Sequence, residues 1–417
     1  MNPPTSAGGL PAADYNEWAE GWRIVLACAL ASGTGIVLLF FSFSLFVLPM
    51  ANELGITRGT IGSLQSLVIS GALGAPIIGW LADRYGFRAV FSVCTVLVVA
   101  IELGMVRFAT TLTELGIGIF LLGFVGMGTT ALTTTRPVNA HFSRHRGKAL
   151  GLVAAGVSIT TILAPPPLQA VMEVYGWRGG IAALAALSLL IGIPAVQLLL
   201  PNRVAGPVVR APAAAGKAPP SFMRERHFWL LAIAGVFVGA ATSGFVSQLS
   251  PMIQSEGLDV ATGALALSAF AVGQLIGRLG GGLLLDRFDP RLVAVTLILL
   301  PGSGFVLLLL TDQMQLAALV AAGLIGLLQG AELDINAYFV ARRFGLARYS
   351  AIYGALLGLG WIGNAAGIIG VGLMHDRFGS YDLAQLLALA ALAVGAVLIS
   401  GVRLAPLAPS RADGKHP

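Results

Sequence analysis

Four ionisable residues lie deep inside long apolar stretches of this sequence, where a charged side chain usually has a counter-charge or a function. They are Glu102, Arg278, Glu332 and Asp334. A charged side chain at the centre of a membrane helix costs roughly 2.5–3.5 kcal/mol on insertion scales. A guanidinium can hold a carboxylate through two parallel hydrogen bonds, and a carboxyl group can take up and release a proton. These residue types therefore predict the binding of an organic anion and of a proton.

Arg278 is the strongest candidate for a ligand-binding residue. It lies eight residues before Asp286, a rise of about 12 Å along a helix. The residue one turn before it is Gln274, so its own helix offers no acid within one turn. Two interpretations stay open. Arg278 binds the carboxylate of a substrate, or it forms a structural ion pair with an acid of another helix.

The other three candidates are acids. Glu332 and Asp334 lie two residues apart, so they point to different faces of one helix. Either one could carry a proton. The alternative is a gate, in which they pair with nearby arginines, namely Arg287, Arg342 and Arg343. Glu102 is followed five residues later by Arg107, which favours a structural role for this acid.

The elements that hold these residues are membrane helices. Of the 417 residues, 56% are hydrophobic and only 11% are charged, and the mean hydropathy is +0.85. This composition excludes a soluble enzyme with one anchor, and the length of the apolar stretches excludes an outer-membrane barrel. The predicted fold is all-α, a polytopic membrane protein with twelve transmembrane helices. The predicted spans are 23–51, 59–80, 89–108, 113–136, 149–173, 179–200, 228–253, 260–284, 292–311, 315–340, 350–374 and 382–404.

The distribution of lysine and arginine predicts the orientation of these spans. Most of the 25 basic residues fall on one side of the predicted membrane. Those that fall on the other side are Arg58, Arg107, Arg178 and Arg377. Because cytoplasmic loops retain basic residues, we expect both termini to be cytoplasmic and the protein to lie in the plasma membrane of a bacterium, its inner membrane. The net charge of +6 then reflects topology and predicts no nucleic acid partner.

The chain also contains an internal duplication. Residues 79–88 and 282–291 share the pattern G-x3-D-R-x3-R, and they lie 203 residues apart. Tyr175-Gly176 recurs at the same distance as Phe378-Gly379. We therefore predict an N-terminal six-helix half at 1–200 and a C-terminal six-helix half at 228–417. Residues 201–227, which are rich in proline, alanine and basic residues, predict a flexible cytoplasmic linker.

The repeated loop resembles the signature of the major facilitator superfamily, and the resemblance covers the whole chain. It implies two parallel six-helix repeats that move a substrate by alternating access. In this loop we expect Asp83 to act as a cytoplasmic latch, at the N-terminus of the helix that begins near Tyr349. The alternative is that the charges only fix topology. The other residues of the expected latch are Gly79, Arg84, Gly86, Arg88, Asp286, Arg287 and Arg291.

The same resemblance implies that spans one, four, seven and ten line the substrate cavity. Polar residues on these and neighbouring spans are therefore candidates for substrate binding. They are Thr133 in span four, Gln274 in span eight, Asn336 and Tyr338 in span ten, and Trp361 and Asn364 in span eleven. The alternative for a threonine is a hydrogen bond to a carbonyl of its own helix.

Two stretches are similar to one branch of this superfamily. Residues 141–152 and Gly277-Arg278 resemble the monocarboxylate transporter family and its bacterial relatives, which include oxalate/formate exchangers. In that family an arginine at this place binds the substrate carboxylate, which implies the same role for Arg278. The chain departs from the animal members at Gln274, where they have an aspartate, and near Leu45, where they have a lysine. Span eleven lacks the lysine of an oxalate exchanger, so a single carboxylate is favoured.

These observations predict a secondary transporter of a small organic monocarboxylate, working by proton-coupled symport. The alternatives are an organic-anion exchanger, an exporter of drugs or other amphiphiles in which Arg278 is structural, and a non-transporting sensor. We expect no enzyme, cofactor or metal ion, because no nucleophile–base set, metal-ligand cluster or phosphate loop is present. The expected partners are the organic anion, a proton and the lipid bilayer. A monomer suffices, because two six-helix halves already enclose a pathway.

Overall fold

The computed structural model describes residues 17–142, 145–201, 221–310, 314–344 and 349–404. Within these residues the chain is helical and contains no strand. Eleven helical segments are long and apolar enough to cross a membrane, and one shorter apolar helix covers Gly147–Leu163. The predicted all-α membrane fold is confirmed.

The helices before residue 200 are repeatedly interrupted. They are α1 (Trp18–Gly33), α2 (Ile36–Leu54), α3 (Arg58–Ser63), α4 (Gly71–Tyr85), α5 (Phe87–Phe108), α6 (Leu112–Gly126), α7 (Ala131–His141), α8 (Arg146–Leu163) and α9 (Pro165–Leu187). Predicted span one is broken between α1 and α2, and span four between α6 and α7. Span two contains a 3-10 segment, Leu64–Ser70.

The predicted fifth span, 149–173, also contains a break, because α8 ends at Leu163 and α9 begins at Pro165. Three consecutive prolines, which lack the backbone N–H, explain the break. The chain then turns at Gly176, whose φ of 65° lies in the left-handed region that favours glycine. This turn matches the boundary predicted between spans five and six.

The helices after residue 221 run without such breaks. They are α10 (Arg226–Ser255), α11 (Val260–Arg287), α12 (Pro290–Leu310), α13 (Gln315–Phe344), α14 (Tyr349–Phe378) and α15 (Asp382–Ser400). Helix α10 begins one residue before the predicted end of the linker, and 202–220 lie outside the described residues.

Close backbone packing holds α11 against α13. A Cβ atom at Gly277 would stand 1.9 Å from the carbonyl oxygen of Leu327, and one at Gly330 would stand 2.0 Å from that of Gln274. Small residues allow such approach between membrane helices, where packing replaces the hydrophobic effect. This interface fixes the rotation of α11 and α13 relative to each other, and both helices carry candidate residues.

Candidate functional site

Arg278 lies where α11 meets α8, so it stands at a contact between the first six predicted spans and the last six. Its Nη1 donates to the carbonyl oxygen of Ala154 at 3.3 Å. One turn earlier, the side chain of Gln274 is 1% exposed, and its Oε1 has no hydrogen-bond partner among the described residues. The guanidinium therefore keeps most of its donors for another acceptor.

Asp334 is the acid that interacts electrostatically with Arg278. No carboxylate oxygen of a described residue lies within 4.0 Å of the guanidinium, so the two groups interact at a distance and form no ion pair. The partner on another helix matches one of the two interpretations left open for Arg278. The gap also leaves the fork of the guanidinium available to a carboxylate ligand.

Glu332 points away from this pair. It lines a cleft of about 260 Å³, a volume that includes space open to the surroundings, together with Asn336 of the same helix. The opposite wall is α10, where Gly235 has open space beside it. Glu332 has no hydrogen bond or ion pair with any residue in the described part of the chain. The other residues of the cleft are Ala234, Val238, Ile298, Leu328, Ile335 and Ile399.

The arginines considered for a gate have other contacts. Arg343 lies 3.6 Å from a carboxylate oxygen of Glu225. Arg342 donates to the hydroxyl of Tyr338 at 3.0 Å and lies over its ring at 5.6 Å. Within the described residues neither arginine pairs with Glu332. Tyr338 thus contacts an arginine of its own helix, and its predicted place in the substrate site stays a prediction.

Thr133 lies in a tightly packed part of span four, and its place in the substrate site stays a prediction. Its side chain is fully buried, and its hydroxyl donates to the carbonyl oxygen of Gly128 at 2.7 Å. Neighbouring hydroxyls are used in the same way. That of Thr129 donates to Gly126 and accepts from the N–H of Ile36. The threonines of span four therefore complete the backbone of interrupted helices, which is the structural alternative.

Trp361 and Asn364 line a second cleft, of about 220 Å³ by the same measure. It lies between α14, α2 and the 3-10 segment Leu64–Ser70. Sequence reasoning missed two of its residues, Phe40 and Gln65. The available signal was an uncharged polar side chain, Gln65, inside an otherwise apolar span.

The repeated loops hold their charged residues differently. In the first loop, Arg136 pairs with Asp83 and donates to the carbonyl oxygen of Gly79 at 3.1 Å. Arg88 donates to the carbonyl of Leu200. Gly86 has a φ of 83°, as the turn between α4 and α5 requires. Arg84 lies over the ring of Trp80 at 5.5 Å, which leaves it outside the contact between Asp83 and Arg136.

The part of the latch prediction that joins the two halves stays a prediction. Residues 345–348, which precede Tyr349, lie outside the described residues, as does the side chain of Asp286. In the second loop, Asp289 accepts from the N–H of Arg291 at 2.9 Å and thereby caps α12. Arg287 is exposed at the end of α11.

A contact that the sequence did not reveal joins α3, which follows the end of α2, to the C-terminal part of α14. The N–H of Gly59 donates to Oδ1 of Asp376 at 3.0 Å. A Cβ at Gly59 would stand 2.2 Å from the carbonyl oxygen of Gly372, so α3 and α14 touch backbone to backbone. Nearby, the hydroxyl of Tyr381 donates to Gln248 at 3.1 Å. Burial raises the pKa of this phenol above its ordinary value, so it stays a donor at neutral pH.

Glu102 is buried, at 2% exposure, and its Oε2 has no partner among the described residues. Arg107 lies over the ring of Phe108 at 5.5 Å instead of pairing with this acid. The structural role predicted for Glu102 stays a prediction, and Arg107 does not supply its partner.

Comparison with known proteins shows similarity to membrane transporters along most of the chain. The sequence pattern of the Major Facilitator Superfamily matches residues 30–367. Monocarboxylate transporter 13 of Bos taurus is 26% identical over 384 residues, which cover 91% of this chain and 87% of that protein. Purine ribonucleoside efflux pump NepI of Salmonella paratyphi B is 26% identical over 310 residues, covering 72% and 74% of the two chains.

A solved structure shares the fold. The crystal structure of a mutant of nucleoside transporter NupG matches with a TM-score of 0.73 at 18% identity. The match covers 90% of this chain and 98% of that one. The arrangement of helices is therefore that of a known transporter fold, while the residues in its clefts are the chain's own.

Proposed function

This chain belongs to the Major Facilitator Superfamily and is a transporter, and from that premise we propose that its substrate is a small organic monocarboxylate, carried together with a proton. One observation carries the proposal. Arg278 is a membrane-embedded guanidinium at a contact between the two halves, and its charge partner, Asp334, lies on another helix without touching it. The similarity to a monocarboxylate transporter along 91% of the chain supports the same substrate class.

The arrangement suggests how proton and anion travel together. A substrate carboxylate binds the fork of Arg278 through two parallel hydrogen bonds. This anion displaces Asp334 as the counter-charge of the guanidinium, so Asp334 takes up a proton. The site then holds the same net charge with and without its cargo, which keeps the cost of crossing the membrane low. Loss of the proton on the far side returns Asp334 to Arg278 and releases the anion.

Alternating access requires the contact of α3 with α14 to open once in each cycle. We expect Gly372→Leu to hold these helices apart, because a Cβ there would stand 2.7 Å from the Cα of Gly59. Gly370→Leu is the matched control, because it has open space beside it on the same helix. Labelling of a cysteine introduced at Ser63 should increase in Gly372→Leu only. Equal labelling in both variants would show that this contact is no gate.

We further propose that the side with the repeated loops faces the cytoplasm and that the membrane is a bacterial plasma membrane. The excess of basic residues on that side supports this orientation. A single chain forms the working unit, since both halves are covalently joined. Cysteine labelling from each side of sealed cells tests the orientation directly.

Uptake into proteoliposomes tests the proposed function. An inward proton gradient is applied with labelled lactate, pyruvate, glycolate, acetate, benzoate and oxalate, and wild type is compared with Arg278→Gln. We expect gradient-driven uptake of a monocarboxylate and its loss in the variant. Arg403→Gln is the control, since this arginine lies at the end of the described chain. Uptake that survives in Arg278→Gln would contradict the proposal.

Two other outcomes would change the mode or the substrate. Gradient-independent uptake that internal carboxylate stimulates would indicate exchange. Export of an uncharged solute is the second candidate function. It is favoured by the presence of Asp334, which can neutralise Arg278 as a structural pair, and by the similarity to a protein named as a purine ribonucleoside efflux pump. Efflux of adenosine or inosine that is unaltered in Arg278→Gln would support it.

A further inference from the structure

The second cleft adjoins the contact that joins Gly59 of α3 to Gly372 of α14. On one side of the cleft, the 3-10 segment Leu64–Ser70 continues α3 without a gap. On the other side, Ile368 lies one turn before Gly372 on α14. The first wall belongs to the N-terminal half of the chain and the second to the C-terminal half, so a molecule bound between them contacts both halves.

The walls of this cleft combine aromatic rings with uncharged polar groups. Phe40 and Trp361 contribute rings, and Trp361 is 40% exposed. Gln65 and Asn364 contribute amides. None of the described residues that line the cleft is ionisable. A carboxylate would lack a counter-charge here, so the cleft favours an uncharged molecule and is separate from the proposed anion site at Arg278.

The size and the surface of the cleft limit the shape of its ligand. Its volume is about 220 Å³, which includes space open to the surroundings. Sites for drug-sized ligands occupy roughly 300–1,000 Å³, so this cleft fits a smaller molecule, of one or two rings. A flat molecule can pack its face on the aromatic side chains and form hydrogen bonds at its edge.

The two amides define the hydrogen bonds of that ligand. Nε2 of Gln65 donates to the carbonyl oxygen of Phe40 at 2.6 Å, whereas its Oε1 is buried and has no partner among the described residues. The hydroxyl of Ser66 is no donor for it, since it already donates to the carbonyl oxygen of Ser63 at 2.6 Å. Asn364 is partly exposed and carries an NH₂ donor. A fitting ligand therefore has an N–H or O–H donor for Gln65 and an acceptor for Asn364.

From this arrangement we propose that the second cleft is a regulatory site for an uncharged, flat molecule of one or two rings that carries a hydrogen-bond donor and an acceptor. Alternating access requires the contact of α3 with α14 to open, which separates the two walls. A ligand that needs both walls binds while the contact is formed, and it shifts the population toward that state. Its effect is inhibition, whatever substrate the protein transports.

Two probes that differ in one methyl group test the chemistry of the site. The Kd of 2-quinolone is compared with that of 1-methyl-2-quinolone, which keeps the rings and the carbonyl acceptor but lacks the N–H donor. The Kd is measured from the concentration dependence of thermal stabilisation of the purified chain. We expect the methylated compound to bind about tenfold more weakly, because Oε1 of Gln65 then stays unpaired. Gln65→Leu should remove the difference. Equal Kd values in the wild type, or no binding of 2-quinolone, would overturn the proposal.

Gln385→Leu is the matched control. This glutamine is also buried, at 1% exposure, and its Oε1 also lacks a partner in the described part of the chain, but it lies on α15 and lines neither cleft. The control should keep the preference for the N–H donor. A preference lost equally in both variants would show a general disturbance of packing and would overturn the assignment to Gln65.

Labelling of a cysteine introduced at Ser63 tests the regulatory effect. We expect 2-quinolone to slow this labelling severalfold, because it stabilises the contact between α3 and α14. Its Kd should rise about tenfold in Gly372→Leu, which is expected to hold the walls apart, and should stay unchanged in Gly370→Leu. Unchanged or faster labelling with 2-quinolone, or an unchanged Kd in Gly372→Leu, would overturn the regulatory role.

Arg278→Gln separates this proposal from the proposed function. The variant should bind 2-quinolone with the Kd of the wild type, because Arg278 does not line the second cleft. Loss of binding in this variant would overturn the separation of the two sites. Intact 2-quinolone binding in a wild-type protein that takes up no carboxylate would contradict the proposed function alone.

Discussion

Thr129 and Glu332 occupy corresponding positions of the duplicated chain, 203 residues apart, yet their surroundings differ. Around Thr129 the space is filled. Its side chain is fully buried, and its hydroxyl joins Gly126 to the N–H of Ile36, where α1 ends and α2 begins. A second hydroxyl pair, Ser32 with Thr134 at 2.8 Å, supports the same break.

Around Glu332 the corresponding space is open. The positions 203 residues after Ser32 and Gly35 are Gly235 and Val238, and both line the cleft with Glu332. Helix α10 runs through this region without a break, so no backbone N–H there awaits a side-chain acceptor. The carboxyl group of Glu332 is consequently left with room and without a described partner.

The comparison shows that equivalent positions of the two halves have different roles. In the first half, polar side chains of span four satisfy backbone groups of interrupted helices, as a membrane requires. In the second half the helices are unbroken, so their backbone N–H and C=O groups form hydrogen bonds within the helix. The equivalent side chains are then available for ligands or protons. We therefore expect the side chains that bind substrate or a proton to lie on α11 and α13. We expect the changes of helix shape during transport to occur at the interrupted helices, α1, α2, α6 and α7.

An exchange of the two residues gives the largest expected effect. Thr129→Glu places a carboxyl group in a filled, apolar site, at a cost of several kcal/mol. We expect it to abolish folded protein, measured as the monodisperse peak in size-exclusion chromatography. Glu332→Thr should give a normal peak. A well-folded Thr129→Glu variant would show that the two surroundings are equivalent after all.

Removal of the charge at Glu332 should affect transport and not folding. We expect Glu332 to pass on the proton that Asp334 takes up, so proton-driven accumulation in Glu332→Gln should fall by about tenfold or more, since a neutral amide cannot release a proton. Thermal unfolding should match that of wild type, because the amide keeps the shape of the side chain. Counterflow uptake without a gradient is the control and should persist. Unchanged accumulation would remove Glu332 from proton coupling.

Removal of the hydroxyl at Thr129 should affect folding and not coupling. Thr129→Val leaves the N–H of Ile36 buried without its acceptor, which costs about 1–3 kcal/mol. Thermal unfolding in detergent measures this loss. Thr135→Val is the control, because its hydroxyl makes only an exposed bond to the carbonyl oxygen of Ala131. An equal loss in both variants would argue against a special role for the break.

The next pair, Thr133 and Asn336, should repeat the contrast with the smallest effects. Thr133→Ala loses a buried bond to Gly128, for about 1 kcal/mol. Asn336→Ala faces the cleft and should change stability by less than about 0.5 kcal/mol. Thermal unfolding of the two variants under one condition provides the measurement. The opposite ranking would show that the cleft is tightly packed.

Much of the fold was predictable from the sequence, because hydrophobic length and basic loops report directly on membrane insertion. What the sequence did not reveal has local causes. The breaks inside spans one and four were not located, because an apolar run continues through each break. The hydrogen bond of Thr133 to Gly128 was not predicted, because residue type does not reveal whether a hydroxyl faces its own backbone. Arg278 and Asp334 were both identified, but their interaction was not.

The sequence by itself determined that the chain crosses a membrane many times, that its loops repeat, and that one arginine and a few acids lie among apolar residues. Each of these properties is set by composition along a single helix. Only the tertiary structure decided that Asp334 interacts with Arg278, that Glu332 faces Gly235 across a cleft, and that Gly59 touches Gly372. Those pairings depend on how each helix is rotated about its axis. In a membrane that rotation is set by contacts with neighbouring helices, because lipid solvates every apolar face equally well.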